Sequence, residues 1–498
     1  MLFQNFLGPS NVNQAPYLDQ ERLVNWYLEG GQAPGSASPW AACMTPGVTV
    51  LATDIASPGR ANFYEPATER QFVVQGSRFN EVSSGGVITN RGTVAIDGNP
   101  ATISSNGPIG GQLLITSGGN AYSFVLSSST FAAIALLNGI STMGAAQDGY
   151  GLVFNVLTGR TYFSSLNDFT TWDLTNFFGR SKAPDPLRAM TTANGYIYLL
   201  GAATTEVWYN AGEFPIPFVF HPSGLIQYGI AAVFSAEIAG NALWWLAETA
   251  NGQGRVVRTR GFGPEVMSSY ALAFALNGYS TISDAIGDTS EDRGHTFYHL
   301  TLPGANAAWC ADVDLPPAVA WHERLTWISE DVRYTAWRPT FHAFAFGQHR
   351  MLDRSSGDIY VMSSDTYTDV PTAAGVARPL RRMRQTPAIF SENRRLVYPG
   401  LEVDFEVGLG LSGTGQGSDP QVMLQMSDDG GKTWGSEIWT SAGKLGEYGT
   451  RVQFNRLGSA RRRVFRVVVS DPIAWKMIGA YLPDFERANP GLRVGRAA

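Results

Sequence analysis

The sequence predicts an all-β protein: a β-propeller of about six blades, with an extended N-terminal arm before it and a C-terminal antiparallel β domain after it. Three observations carry this prediction. Short aromatic or β-branched strands with tight turns recur through the middle of the chain, sustained helical periodicity is scarce there, and one Asp-box hairpin stands at residues 427–434. We place the arm at residues 1–45, the propeller at 46–395 and the C-terminal domain, with the Asp-box hairpin, at 396–498.

The arm alternates polar and apolar residues without a clear period and reaches the turn-forming stretch Ala33–Pro39. Its segment Glu21–Glu29 fits either a short helix or a strand. Trp26 and Tyr27 in that segment need burial against another part of the structure. We therefore expect an extended arm that packs on a later domain or on a neighbouring subunit.

The propeller is predicted from a repeated unit of strand, tight turn and strand. Five such hairpins and one weaker copy occupy residues 111–126, 149–164, 194–209, 241–257, 294–313 and 355–362. They start roughly 40 to 55 residues apart, which is the spacing expected when each hairpin is half of a four-stranded blade. A large β-sandwich or several small β domains would also give many short strands, and this alternative stays open. The one helical stretch, Ser268–Leu276, is expected to be a small element between blades.

Arginines crowd the link between the propeller and the C-terminal domain, at Arg378, Arg381, Arg382, Arg384, Arg394 and Arg395. They fit a basic rim that contacts DNA phosphates, or an interface or solvated edge that pairs with acidic groups of a neighbour. The formal net charge of −6 favours the second interpretation. The candidate interface or DNA-proximal residues are Arg378, Arg381, Arg382 and Arg384.

The Asp-box follows the pattern S-x-D-x-G-x-T-W, with Ser427, Asp429, Gly431, Thr433 and Trp434. Asp binds nearby backbone amides, Gly supplies a positive φ, and Thr and Trp are expected to begin the returning strand. Because the aspartate is occupied by its own turn, we interpret the motif as structural.

The strand Leu401–Val407 alternates strictly and presents an acidic face of Glu402, Asp404 and Glu406. This face is expected either to pair with the basic edge Arg461, Arg462, Arg463 and Arg466 or to face a lumen.

The composition indicates a protein that works in an assembly. Charged residues make up only 16% of the chain and aromatic residues 12%, and subunit interfaces disfavour unpaired charge while favouring aromatic groups. The net negative charge provides no global basic field for gripping nucleic acid.

Cys43 and Cys310 stand far apart and form no disulfide framework, which predicts a reducing site of synthesis. No apolar run approaches the roughly 20 residues that span a bilayer, and the N-terminus lacks the features of a signal peptide. We expect synthesis in a cytoplasm and no membrane-spanning segment.

We find no pattern that predicts catalysis, a cofactor or a metal. His295 and His299 lie about 13 Å apart by strand rise, too far to share one ion, so core or interface histidines are favoured. The cluster Trp321–Arg324 is interpreted as a hydrogen-bond lock at a blade edge rather than an acid/base pair. Phosphate-binding loops and hydrolase motifs are absent from the sequence, so we predict no catalytic, cofactor-binding or metal-binding residues.

Several segments together resemble the tail hub, or nozzle, proteins of short-tailed bacteriophages, also called packaged-DNA stabilisation proteins or tail tube accessory factors. The resemblance runs from about residue 8 to about 480. The segments are Met44–Gly47, Glu206–Gly212, Trp321–Arg324, Gly415–Pro420, the Asp-box, Gly446–Gly449 and Phe465–Pro472.

This resemblance implies a structural virion protein and no enzyme. It implies a propeller-containing subunit, six copies of which form a ring below the portal and adaptor, close and extend the tail channel, retain packaged DNA and conduct it during genome ejection. The implied partners are further copies of the chain, adaptor proteins, a tail fibre, tailspike or tail needle, and viral double-stranded DNA in transient non-specific contact.

An acidic chain of low charge density fits a DNA conduit independently, because each phosphate neutralised by Lys or Arg adds binding free energy that would stall transit. The alternative is a tail-associated propeller that binds or degrades glycans, as a sialidase does. A single Asp-box outside the repeated hairpins argues against it, as does the lack of an evident carboxylate cluster with three arginines.

Overall fold

A computed structural model describes residues 2–12, 14, 20–31, 38–55, 57–249 and 251–489 of the chain. Within them the protein is built almost entirely of strands. The first four are β1 Arg22–Val24, β2 Trp26–Gly30, β3 Trp40–Met44 and β4 Gly47–Thr53. The segment 21–29, which fitted helix or strand, is therefore extended, and residues 33–37 of the predicted linker lie outside the described residues.

Six consecutive groups of four antiparallel strands follow as blades. They are β5 Gly59–Glu65, β6 Arg70–Gln75, β7 Arg78–Val82 and β8 Ile88–Thr93; β9 Thr102–Ser105, β10 Gln112–Ser117, β11 Asn120–Val125 and β12 Thr130–Ala133; β13 Met143–Gln147, β14 Tyr150–Asn155, β15 Arg160–Ser165 and β16 Asp168–Gly179; β17 Leu187–Ala193, β18 Tyr196–Gly201, β19 Thr205–Asn210 and β20 Phe218–Ile226; β21 Glu237–Ala239, β22 Ala242–Glu248, β23 Gly254–Arg260 and β24 Gly263–Val266; and β25 Ile286–Asp292, β26 His295–Leu302, β27 Ala307–Asp312 and β28 Trp321–Glu323.

The seventh blade combines the two ends of the propeller segment. After the hairpin β29 Leu325–Ile328 and β30 Arg333–Ala336 come β31 Pro339–Ala345, β32 Gln348–Asp353 and β33 Asp358–Ser363. Strand β4 adds to β33 as the outer strand, with Val50 opposite Tyr360 and Val48 opposite Met362. The first strand of this blade also packs on β5, so the ring of blades closes.

The β-propeller fold is confirmed, and the seven blades correct the expected number of about six. The hairpin that the sequence analysis missed is β6–β7, where Phe72, Val74 and Phe79 are fully buried. Its two-residue turn begins with Gly76 at φ 55°. Buried aromatic and β-branched residues around a tight Gly turn were a usable signal for this blade.

Four short helical segments accompany the strands in the described part of the chain. They are Gly107–Gly110, the 3₁₀ turn Ala135–Leu137, Tyr270–Gly278 and Phe485–Ala488. The helix Tyr270–Gly278 lies between the fifth and sixth blades, where the sequence placed a small helical element. Ser269 caps it by accepting a hydrogen bond from the Leu272 backbone N–H at 3.1 Å.

The remaining strands belong to the C-terminal region. They are β34 Thr368–Asp369, β35 Arg378–Pro379, β36 Arg382–Gln385, β37 Ile389–Phe390, β38 Leu396–Val397, β39 Gly400–Phe405, β40 Gln421–Ser427, β41 Ile438–Ser441, β42 Val452–Asn455, β43 Ser459–Ala460, β44 Arg462–Val469 and β45 Lys476–Tyr481. Two sheets pack face to face here, one containing β36, β44, β40 and β41, the other ordered β2-β3-β45-β39-β42. Trp26, Phe465 and Trp475 are fully buried in the core between them.

One sheet runs without interruption from the sixth blade into the C-terminal sandwich. Its order is β25-β26-β27-β28-β1-β36-β44-β40-β41. The N-terminal strand β1 makes the junction: Val24 lies opposite Glu323 of the propeller on one side and opposite Met383 of β36 on the other. The N-terminal residues thus join the propeller and the sandwich through backbone hydrogen bonds.

Candidate functional site

The cluster Trp321–Arg324 lies at the outer edge of the sixth blade and holds the N-terminal segment there. Glu323 accepts hydrogen bonds from Arg22 Nε at 2.9 Å and from Ser10 Oγ at 3.0 Å. Arg324 donates to the Pro46 carbonyl at 2.9 Å. These contacts are the ones expected of a hydrogen-bond lock.

His322, in the same cluster, is buried, and its Nε2 has no hydrogen-bond partner among the residues that the structure describes. Burial and the charge of Arg324 lower the pKa of His322 to about 3. The ring is therefore neutral at physiological pH and serves as a packing group against Phe297, 6.0 Å away between ring centres.

The arginine cluster between the propeller and the sandwich divides into buried, half-buried and exposed members, and Arg394 and Arg395 are the exposed ones. Arg382 and Arg384 are fully buried. Arg384 forms an ion pair with Glu21 and donates to the carbonyls of Phe6 at 2.6 Å and Gly8 at 3.0 Å. Arg382 donates to the Leu380 carbonyl at 3.2 Å, and burial lowers its pKa to about 9.

The expectation of an exposed basic edge is wrong for these two residues, because their guanidinium groups face inward and bind the same chain. Arg378 and Arg381 remain partly accessible. Arg381 lies over the Trp327 ring at 4.3 Å and pairs with Glu437 at 3.4 Å, and Arg378 approaches Glu330 at 3.8 Å. For Arg378 and Arg381 an interface or DNA-proximal role stays a prediction.

The Asp-box hairpin joins β40 to β41. Asp429 accepts hydrogen bonds from Ser427 Oγ at 2.7 Å, from the Lys432 N–H at 2.9 Å and from Thr433 Oγ1 at 2.6 Å. These hydrogen bonds lower the pKa of the Asp429 carboxyl. The returning strand starts at Ile438, so Thr433 and Trp434 lie in the turn and do not begin the strand as expected.

The Asp-box also supports its neighbour strand. Gly431 has φ 90° and donates its N–H to Ser427 Oγ at 2.8 Å, and Trp434 Nε1 donates to the Gly431 carbonyl at 3.1 Å. The Trp434 ring then covers the guanidinium of Arg466 at 3.5 Å. The polar groups of the motif therefore form hydrogen bonds within the hairpin, as expected for a structural motif.

The acidic face of β39 does not pair with the arginines at 461–466. Glu402 binds Arg451, with Nε and Oε1 2.8 Å apart, and Glu406 pairs with Lys476 at 2.8 Å. Arg463 instead binds Asp428 at 2.8 Å. The cross-strand neighbours of β39 are β42 and β45, which bring Arg451 and Lys476 within reach, whereas β44 lies in the other sheet.

The two histidines of β26 have separate partners. His295 Nδ1 lies 2.7 Å from Asp312 Oδ2, and His299 Nε2 lies 2.8 Å from Ser290 Oγ. The Asp312 hydrogen bond raises the pKa of His295, whereas burial lowers that of His299. Across the described residues, no group of three or more His, Cys, Asp and Glu side chains is placed to hold a metal ion.

The axis of the propeller contains a narrow channel of about 450 Å³, lined by the first strands of the blades and residues beside them. Two carboxylates, Glu237 and Asp288, face it. Asp288 accepts hydrogen bonds from the backbone N–H groups of His342 at 2.8 Å and Thr289 at 2.9 Å. Burial, together with the nearby Glu237, raises the pKa of Asp288 to about 8. The surrounding channel walls also raise the pKa of Glu237, whose side chain stays accessible from the channel.

Sequence reasoning did not identify this carboxylate pair, because the two residues belong to the first strands of the fifth and sixth blades and meet only when these blades pack side by side. No arginine lines the described part of the channel. The channel therefore lacks the three arginines that a sialidase-like site would place beside its carboxylates. None of the helices described here has the length and apolar character needed to cross a membrane.

Two solved structures illustrate the likeness to known folds. The Neurospora crassa Pan2 WD40 domain is 11% identical, with 64% of this chain and 95% of that one covered and a TM-score of 0.39. The Myceliophteria thermophila Cps50 (Swd1) β-propeller domain is 7% identical, with 64% and 99% covered and a TM-score of 0.40. Scores this low support no argument about function. No curated protein sequence matches the chain.

Two family profiles match consecutive parts of the sequence. Residues 18–367 match the family described as bacteriophage P22 Gp10, beta-propeller, and residues 381–482 match bacteriophage P22 Gp10, beta-sandwich. The two matches follow the order of the seven-bladed ring and the sandwich described above. The chain belongs to the bacteriophage P22 Gp10 family, the phage tail nozzle or DNA-stabilisation proteins, and has a structural role in the phage tail.

Proposed function

We propose that this chain is the tail hub, or nozzle, subunit of a short-tailed phage. Six copies would form a ring below the portal and adaptor that closes and extends the tail channel, retains the packaged DNA and conducts it during genome ejection. The chain would act without catalysis, would be made in the host cytoplasm, and would contact adaptor proteins and a tail fibre, tailspike or needle.

The small size of the propeller channel is the main observation that supports a ring of several copies. The space of about 450 Å³ on the propeller axis is too small to hold a stretch of double helix, whose major groove alone is about 12 Å wide. A protein that conducts DNA must then enclose it between several copies. Closed rings are the assemblies that heterologous interfaces produce when their rotation closes.

The joined architecture also supports this role. A hub bears load between the capsid side of the tail and its distal end, and here one sheet continues from the sixth blade into the sandwich through β1. Relative motion of the two parts would break the β1–β28 and β1–β36 backbone pairings. We keep the division into an arm at 1–45, a propeller at 46–395 and a C-terminal domain at 396–498 as part of the proposal, with strands β2, β3 and β36 crossing it to join the sandwich sheets.

The test is the mass of the purified chain, alone and mixed with the portal–adaptor complex of its phage, by light scattering and negative-stain imaging. We expect sixfold rings with a central opening, formed alone or on the adaptor. A chain that stays monomeric and ignores the adaptor would overturn the proposal and would direct attention to glycan-binding and hydrolase assays.

A further inference from the structure

A cleft at the junction of propeller and sandwich contains an unusual concentration of arginine and aromatic side chains. It has a volume of about 560 Å³, within the range of roughly 300–1,000 Å³ typical of ligand sites. Its floor is the continuous sheet, and its roof includes the hairpin β29–β30. Four arginines and two glutamates line it, which are Arg22, Arg333, Arg381, Arg466, Glu323 and Glu437.

The charges inside the cleft do not balance. Glu323 is fully engaged by Arg22, with Nε–Oε1 at 2.9 Å and Nη2–Oε2 at 2.5 Å. Glu437 meets Arg381 at 3.4 Å. Arg333 pairs with Asp331, beside the cleft, at 2.9 Å, so one of the four lining arginines is left without a carboxylate among the described residues, in a chain whose net charge is −6.

Arg466 is the cation that lacks a counter-charge. Its Nη atoms meet only neutral oxygens, those of Gln385 at 3.3 Å and Gln425 at 3.5 Å, and no carboxylate pairs with it in the described parts of the chain. The Nε atoms of Arg466 and Arg381 are buried without hydrogen-bond partners there. Burial and nearby Arg22 lower the pKa of Arg466 to about 10, so it stays charged at neutral pH.

The Arg466 guanidinium is half-buried, with its Nε enclosed and unpartnered among the described residues, and an incoming carboxylate would supply the missing partner through charge-assisted hydrogen bonds. We propose that this cleft binds an acidic polypeptide segment of a partner protein, whose carboxylates pair with Arg466 and Arg381. The side-chain amide nitrogen of Asn306, which also lines the cleft, can donate to the backbone of such a segment.

Nucleic acid fits the cleft less well. Binding of single strands relies on aromatic faces that are free to stack on bases. Here Arg381 covers Trp327 at 4.3 Å, Tyr334 packs edge-on against the same ring at 4.8 Å, and Arg466 covers Trp434 at 3.5 Å. These aromatic groups orient the arginines and offer no open stacking platform.

The proposal concerns a single chain and does not depend on ring formation. The experiment is fluorescence anisotropy at low salt with the full chain and three labelled probes. The probes are a decapeptide of alternating glycine and glutamate, the same decapeptide with glutamine for glutamate, and a ten-nucleotide oligothymidine.

We expect the glutamate peptide to bind and the glutamine peptide to bind at least about tenfold more weakly, since each charge-assisted hydrogen bond is worth about a factor of ten or more. Arg466→Gln should lower the affinity for the glutamate peptide by about tenfold. Arg451→Gln is the matched control, because Arg451 is an exposed arginine outside the cleft. It should bind the glutamate peptide as the unaltered chain does.

Arg381→Gln serves as a second variant if Arg466→Gln unfolds, which thermal melting would reveal. The proposal is overturned if the acidic peptide fails to bind, or if neither cleft variant changes its affinity. It is equally overturned if the oligothymidine binds more tightly than the peptide and loses that binding with the cleft variants, because the cleft would then be a nucleic-acid site.

Discussion

A fully buried guanidinium, that of Arg384, fixes the start of the chain to the sandwich. It pairs with Glu21 and binds carbonyl oxygens of the first ten residues, including those of Phe6 and Gly8. Removing one member of a buried ion pair leaves the other charge uncompensated, which costs far more than losing an exposed pair.

Arg384→Gln should therefore lower the free energy of unfolding by about 3–5 kcal/mol. The measurement is denaturant unfolding followed by tryptophan fluorescence. The exposed pair of Arg451 and Glu402 provides the comparison, and Arg451→Gln should cost less than about 1 kcal/mol. Equal losses for the two variants would contradict the role given to Arg384.

The Asp-box carboxylate makes a pH-dependent contribution of known sign. Its pKa is lowered in the folded chain by bonds from Ser427 and Thr433, so its stabilising effect is complete above the ordinary Asp pKa of about 3.9. The effect is lost as the pH falls below that value. Asp429→Asn should lower the melting temperature at pH 7, and the difference from the unaltered chain should shrink toward pH 3; a difference independent of pH would contradict this.

The contribution of the channel carboxylate Asp288 to stability should have the opposite pH dependence. Burial raises its pKa to about 8, so between pH 4 and 8 the unfolded chain releases a proton that the folded chain keeps, and stability falls as the pH rises. Asp288→Asn should be more stable than the unaltered chain by about 2–4 kcal/mol at pH 8. That advantage should vanish near pH 4, as unfolding titrations at the two pH values would reveal.

At the scale of elements, β4 closes the propeller by joining the seventh blade across more than three hundred residues of sequence. Val48 faces the blade core with Met351, Tyr360 and Met362, whereas its neighbour Thr49 is exposed. Alternate residues of a strand lie on opposite faces, so these two positions separate burial from strand pairing.

Val48→Asp should destabilise the chain by about 3 kcal/mol or more, because it buries a charge without a partner and removes apolar contacts. Thr49→Asp, one residue away on the same strand, should change stability by no more than about 0.5 kcal/mol. Thermal melting of both variants is the measurement. Similar losses would mean that β4 is sensitive to any charge and that closure does not depend on the core contact.

At the scale of the whole molecule, the proposed conduit lies between chains and not inside the propeller. Thr191 lines the propeller channel, and Thr191→Trp would fill much of it. If DNA passes between subunits, phage carrying this variant should package, retain and eject DNA as the parent does. Plaque titre and DNA release measured in parallel test this, and loss of ejection from fully assembled particles would place the DNA path in the propeller.

Local chemistry predicted a large part of the fold. Hairpins such as 149–164 and 194–209 are recognisable from their Gly or Asn turns and aromatic strands. The Asp-box contains its own hydrogen-bond partners within seven residues. The β6–β7 hairpin carried the same kind of signal in Phe72, Val74 and Gly76. Such features depend on neighbours in sequence, so the sequence alone contains the information.

Contacts between segments far apart in sequence could not be predicted from such local patterns. Arg384 looked like part of an exposed edge because its partners Glu21 and Phe6 lie more than 350 residues away in sequence. Glu402 likewise meets Arg451 because of the order of strands in its sheet.

The sequence by itself determined the all-β class, the propeller, the Asp-box hairpin and the resemblance to phage tail nozzle proteins, because strand periodicity and turn chemistry act over short stretches. Only the tertiary structure decided the seven blades, the closure by β4, the junction through β1 and the inward direction of Arg382 and Arg384. Those features follow from which strands become neighbours in space, and that choice depends on burying the whole core at once.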